Sequence, residues 1–111
     1  MIEKILLDYL NATASVPAYM ERPEVPPASY VLVEKTGSSR SNHINKSTIA
    51  LQSYAPTLFQ AVALNEEVKA LIDESIELDS VCRAQLNSDY NYTDTASKQY
   101  RYQAVYDITH Y

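Results

Sequence analysis

A chain of 111 residues has room for one hydrophobic core, and the whole span 1–111 reads as a single domain. Its hydrophobic share of 46% against 21% charged residues excludes a disordered chain. A formal net charge of −5, with only nine Lys and Arg, gives neither an electrostatic footprint for nucleic acid nor a polybasic anchor for a membrane.

Residues 2 to about 12 read as a short amphipathic helix. Ile2, Ile5, Leu6, Tyr9 and Leu10 fall on one side, and Glu3, Lys4, Asp8 and Asn11 on the other. A short extended piece, Val16–Met20, precedes Pro23, Pro26 and Pro27, which forbid regular structure there. Tyr30–Lys35 alternates and is rich in Val, so it reads as a strand. The polar stretch Thr36–His43 reads as the solvated loop of a long hairpin, expected to be mobile in the free subunit and ordered on assembly. The chain has a single glycine, Gly37, so its connections are expected to be longer loops and not tight glycine turns.

A second strand spans Ile44–Tyr54, with Ile49, Leu51 and Ser53 on one side and Thr48, Ala50 and Gln52 on the other. Pro56 is placed to open a helix at its first turn. An apolar arc from Leu58 through Ala61, Val62, Leu64, Val68, Leu71 and Ile72 to Ile76 is wide enough to need a whole sheet face as its cover. The last third reads as two strands, Cys82–Thr93 and Lys98–Tyr111, around a polar turn Asp94–Ser97. In the final strand Tyr100, Tyr102, Ala104, Tyr106 and Ile108 share a face, with Arg101, Gln103, Val105 and Asp107 opposite. The expected fold class is α+β: an antiparallel sheet with two helices packed on one face, in the order α-β-β-β-α-β-β.

The residues that could carry chemistry are scattered. His43 and His110 have no carboxylate or thiol at metal-ligand spacing on a shared helix face, one glycine cannot build a phosphate loop, and no nucleophile elbow surrounds Ser38, Ser39 or Ser41. Glu66, Glu67, Asp73, Glu74, Glu77 and Asp79 read as the wet face of the second helix and the turn after it. Cys82, the lone cysteine, reads as a small buried hydrophobe. No run is long enough to cross a membrane, and Glu3 and Lys4 interrupt any leader-like stretch at the start, so the expected setting is cytoplasmic. Ten tyrosines against one Phe and no Trp suit sheets and subunit interfaces. Arg101, between Tyr100 and Tyr102, reads as part of a cross-strand ladder and not as a base-stacking groove. The expectation is therefore no catalytic, cofactor-binding or metal site.

Several phrases carry a resemblance. The amphipathic first helix, "PPASYVLVEKTG", the "NHI" opening the second strand, "ALQSYAPTLFQAVALNEEVKALI" and the ending "LNSDYNYTDTASKQYRYQAVYDITHY" resemble the tail terminator family. These are tail-completion, or head–tail joining, proteins of long-tailed bacteriophages and prophages of Gram-positive bacteria. The resemblance implies a ring-forming subunit, hexameric, that caps the tail tube, stops its polymerisation and joins it to the head connector. Its partners would be copies of itself, the tail tube protein and a head-completion protein, first in the host cytoplasm and then in the virion. No residue roles carry over, because the family has no catalytic signature.

Contact residues are instead expected from the sequence among Ser38, Ser39, Arg40, His43, Tyr90, Tyr92, Tyr100, Arg101 and Tyr102. Six copies at −5 each would carry about −30, which favours an acidic or neutral channel. It also favours Arg40, Lys46, Arg83 and Arg101 at subunit contacts. Another neck component, a small ligand-binding regulatory domain and an enzyme are the competing readings.

Overall fold

A computed structural model describes every residue except Thr95, Ser97 and Lys98. Helix α1 spans Ile2–Thr13 and buries Ile2, Leu6 and Leu10, one residue per turn, while Lys4 and Asp8 pair at 2.9 Å on its wet side. Its exit is fixed by a side chain imitating a strand. The Asn11 amide accepts from Ala18 N at 2.9 Å and donates to Ala18 O at 3.1 Å. This presents the two-residue strand β1, Ala18–Tyr19, to its neighbour.

Strand β2 spans Tyr30–Ser41 and β3 spans Ile44–Ala55. The expected loop Thr36–His43 is thus mostly strand: Gly37 to Ser41 pair with Thr48 to Ile44, and only Asn42 and His43 turn the chain. Both have positive φ, 50° and 67°, the left-handed pair that a two-residue hairpin requires. Asn tolerates that region, so a tight turn forms without glycine. Gly37 lies instead beside a register shift after Lys35, where an added Cβ would meet nothing within 4 Å.

Helix α2 spans Leu58–Asp73 and is capped by Thr57, whose hydroxyl accepts from Gln60 N at 3.2 Å. Pro56 therefore precedes the cap and does not occupy the first turn. The buried stripe is Ala61, Leu64, Asn65, Val68 and Ile72; Leu58 is 41% exposed, and Ile76 lies beyond the helix at 51%. The arc is narrower than the sequence suggests because the helix gives way to a 3-10 turn, Glu74–Glu77, which swings Ile76 outward. Strand β4, Val81–Asn91, and strand β5, Tyr100–His110, complete the sheet. Asp94 bridges to Gln99 at their junction, whereas Thr95 and Ser97 of the expected turn and the expected strand start at Lys98 lie outside the described residues.

The sheet order is β1-β2-β3-β5-β4. Four strands are antiparallel, and only β1 joins in parallel, so the sheet is mixed and not purely antiparallel. Val31, Val33, Ile49, Leu51, Ala104, Tyr106 and Ile108 share the face covered by Leu6, Leu10, Leu64, Val68 and Ile72 of the helices. Tyr106 is fully buried beneath α2, and its hydroxyl donates within reach of Asp73 Oδ1 (3.0 Å) and Lys69 O (3.1 Å). Burial, with Asp73 alongside, pushes that phenol well above its usual range. Ser15 holds the Glu67 carboxylate through N and Oγ at 2.7 Å each, tying the exit of α1 to α2. Two sheet margins stay open: β1 pairs only with Val31 and Leu32 of β2, and β4 ends the sheet on the other side. The molecule is elongated, 44 × 25 × 24 Å.

Candidate interaction surface

The strand face turned away from the helices carries only part of the set the sequence singled out, at two separate ends: Tyr90, Tyr92 and Arg101 at one and Ser39 at the other. Strand alternation and register place Tyr30, Tyr54, Arg101 and Tyr92 in neighbouring positions across it. Tyr30 and Tyr54 stack with centroids 4.6 Å apart and planes 5° from parallel, and Tyr19 meets Tyr30 edge-on. The Arg101 guanidinium lies 4.2 Å from the Tyr92 ring centre and 5.7 Å from that of Tyr54. It donates through Nη1 to the Tyr54 hydroxyl at 2.8 Å and through Nε to Tyr92 O at 2.6 Å. Tyr54 donates on to Gln52 Oε1 at 3.1 Å; Gln52 donates to Gln103 Oε1 at 3.0 Å, and Gln103 to the Tyr90 hydroxyl.

Arg101 therefore works with Tyr54 and Tyr92, on strands β3 and β4's end, and not with its sequence neighbours. Tyr100 and Tyr102 point to the other face. Beside this network Pro26, Pro27, Tyr30, Tyr54, Pro56 and Tyr100 line an apolar cleft of about 290 Å³. The Tyr30 hydroxyl is buried with no hydrogen-bond partner among the described residues, and burial raises its pKa. Phe59, the chain's one phenylalanine, stands 82% exposed in the first turn of α2 near this end.

The other end, roughly 30 Å along β5, carries Ser38, Ser39, Arg40 and His43. All four are exposed, and Arg40 Nη2 approaches His43 Nδ1 at 3.4 Å. Register sets Ser39, Lys46, Thr109 and Arg83 in one row across β2, β3, β5 and β4 on the helix-free face. They border a polar cleft of about 480 Å³, open to solvent, with Asp107 in its floor. Asp107 accepts from Thr48 Oγ1 at 3.2 Å and Asn87 Nδ2 at 3.1 Å. Sequence reasoning expected Lys46 and Arg83 at subunit contacts on charge alone; their adjacency depends on a register no local pattern reveals.

Cys82 is exposed, not buried, because the register shift between Val81 and Arg83 turns it out of the alternation. His110 is buried against Ser47 Oγ at 2.8 Å, whereas His43 is exposed in the hairpin turn. Among the described residues no group of three or more His, Cys, Asp or Glu is arranged to hold a metal ion. No described helix is long and apolar enough to cross a membrane. No protein-family model matches the chain, and no curated protein matches it.

Proposed function

We propose that the chain is a structural subunit of phage tail assembly, a ring-forming protein that caps the tail tube, stops its growth and joins it to the head connector. The observation that carries this reading is the pair of open sheet margins on opposite sides of one rigid subunit. The outer edge of β2 beyond Leu32 and the outer edge of β4 both present unpaired backbone donors and acceptors. Closure of a ring by rotation requires two different, mutually matching surfaces on each copy, which two unlike edges can supply.

The helix-free face also suits a contact role better than a ligand site. Its larger cleft is polar and open to solvent, and at its aromatic end Arg101, Tyr54, Gln52 and Gln103 are already engaged with one another and with Tyr90 and Tyr92. Another neck component built on the same fold would use the same surfaces, and the function assay separates the two. Purified subunit is added to polymerising tail tube protein, and tube lengths are measured by electron microscopy. Capping is expected to arrest growth, with subunit density confined to tube ends. Tubes that elongate unchanged in the presence of excess subunit would refute the terminator reading.

A further inference from the structure

The distribution of charge divides the molecule in a way its net value hides. Lys4, Lys35 and Lys69 are each paired with a carboxylate, at 2.9, 3.6 and 2.8 Å. Lys46 and Arg83 are exposed, and among the described residues neither has a carboxylate within 4.0 Å. Two hydroxyl-bearing neighbours, Ser39 and Thr109, complete their row, and the one local acid, Asp107, is already engaged by Thr48 and Asn87. The row can therefore bind carboxylate oxygens through two cations and two hydroxyl donors.

The complementary group is on the same chain. Glu77 and Asp79 are exposed in the turn between α2 and β4, and among the described residues neither makes an ion pair. That turn is anchored at both ends: Ser75 is fully buried and donates to Ile72 O at 2.6 Å, and Leu78 packs against the core. It follows α2 and runs into β4, whereas the cationic row lies on the helix-free sheet face, and one copy does not bring its own two patches within 4.0 Å of each other. Two copies can.

We propose that the Ser39–Lys46–Thr109–Arg83 row receives the Glu77 and Asp79 carboxylates of a second copy, joining subunits head to tail. This rests on the assembly reading above and names the contact it would use. The two patches are unlike, so a contact that uses one of each is heterologous and propagates from copy to copy until it closes. An acidic chain that repels itself over long range gains register from such a localised match.

The test is a charge exchange at four exposed positions, read by sedimentation velocity in about 50 mM salt, where the screening length is over 10 Å. K46E/R83E and E77K/D79K should each weaken self-association at least tenfold. An equimolar mixture should restore it, since each variant then offers the other both a native and a reversed patch of opposite sign. Circular dichroism checks that both variants keep the fold. With the unaltered chain, association should fall steadily as salt rises to about 500 mM. The proposal is overturned by a monomeric wild-type chain, by variants that associate normally, by a mixture that fails to recover, or by association indifferent to salt. Normal self-association with failure to arrest tube growth would refute the function reading alone.

Discussion

Arg101→Ala is the substitution that most directly tests the aromatic end of the sheet. Arg101 makes two hydrogen bonds from a charged donor, to the Tyr54 hydroxyl at 2.8 Å and to Tyr92 O at 2.6 Å, and lies over the Tyr92 ring at 4.2 Å. Hydrogen bonds to charged groups contribute about 1.5–3 kcal/mol each, and an exposed cation–π contact about 0.5–1 kcal/mol. The sum overstates the loss. The Tyr54 hydroxyl keeps its bond to Gln52, and the Tyr92 carbonyl, on an exposed residue, can be rehydrated. A net cost of about 2–4 kcal/mol is expected. Arg101→Lys should recover less than half of it, because a point ammonium cannot reproduce the planar fork and the stack together. Urea denaturation followed by far-UV circular dichroism measures the loss. The near-UV spectrum, which comes from tyrosine in a chain without tryptophan, should weaken with it. A destabilisation below about 1 kcal/mol, or an unchanged near-UV spectrum, would refute the reasoning.

His43→Gly should stabilise the free protein by about 0.5–1 kcal/mol, since His43 sits at φ 67° where an L side chain is strained, and thermal denaturation would detect it. Asp89 accepts from Lys69 Nζ at 2.9 Å and from Asn65 Nδ2 at 3.1 Å, and the Lys69 bond holds its carboxyl below the usual range. A depressed carboxyl stabilises the fold above its unfolded value near 4, and that stability is lost as pH falls through the folded value. Asp89→Asn should therefore cost no more than about 1 kcal/mol at pH 7, the site being partly solvated, and the gap to wild type should narrow in denaturation curves as the pH falls below about 4 and the carboxylate is protonated.

Where the sequence was read correctly, the signal was local and periodic. Ile2, Leu6 and Leu10 recur at helical spacing, and Ile49, Leu51 and Ser53 alternate as a strand requires, so one covered face and one free face could be assigned. The errors have physical causes. Thr36–His43 is polar because β2 beyond Lys35 is an exposed edge strand, not because it is irregular; side chains that all face solvent have no need to be apolar. Asn42-His43 supplies the turn through backbone conformations that glycine usually provides, which composition alone could not reveal. Cys82 left the alternation at a bulge, and Asn65 entered the buried stripe because its amide reaches Asp89 on β4.

The two candidate contact ends show the same division more sharply. Tyr54, Arg101 and Tyr92 come from β3, β5 and the segment after β4, and Ser39, Lys46, Thr109 and Arg83 come from four strands; neither group has a spacing that sequence could display. Register alone assembles them, and register is fixed by the buried face. A one-residue slip of β5 against β3 would carry Tyr106 out from under α2 and Arg101 into the core. The same slip would exchange Thr109 for Ile108 or His110 between Lys46 and Arg83. The apolar pattern beneath the helices thus determines what the opposite face offers a partner. The helix-free face can vary its charge without risk to the fold only while Ile49, Leu51, Ala104, Tyr106 and Ile108 keep their places.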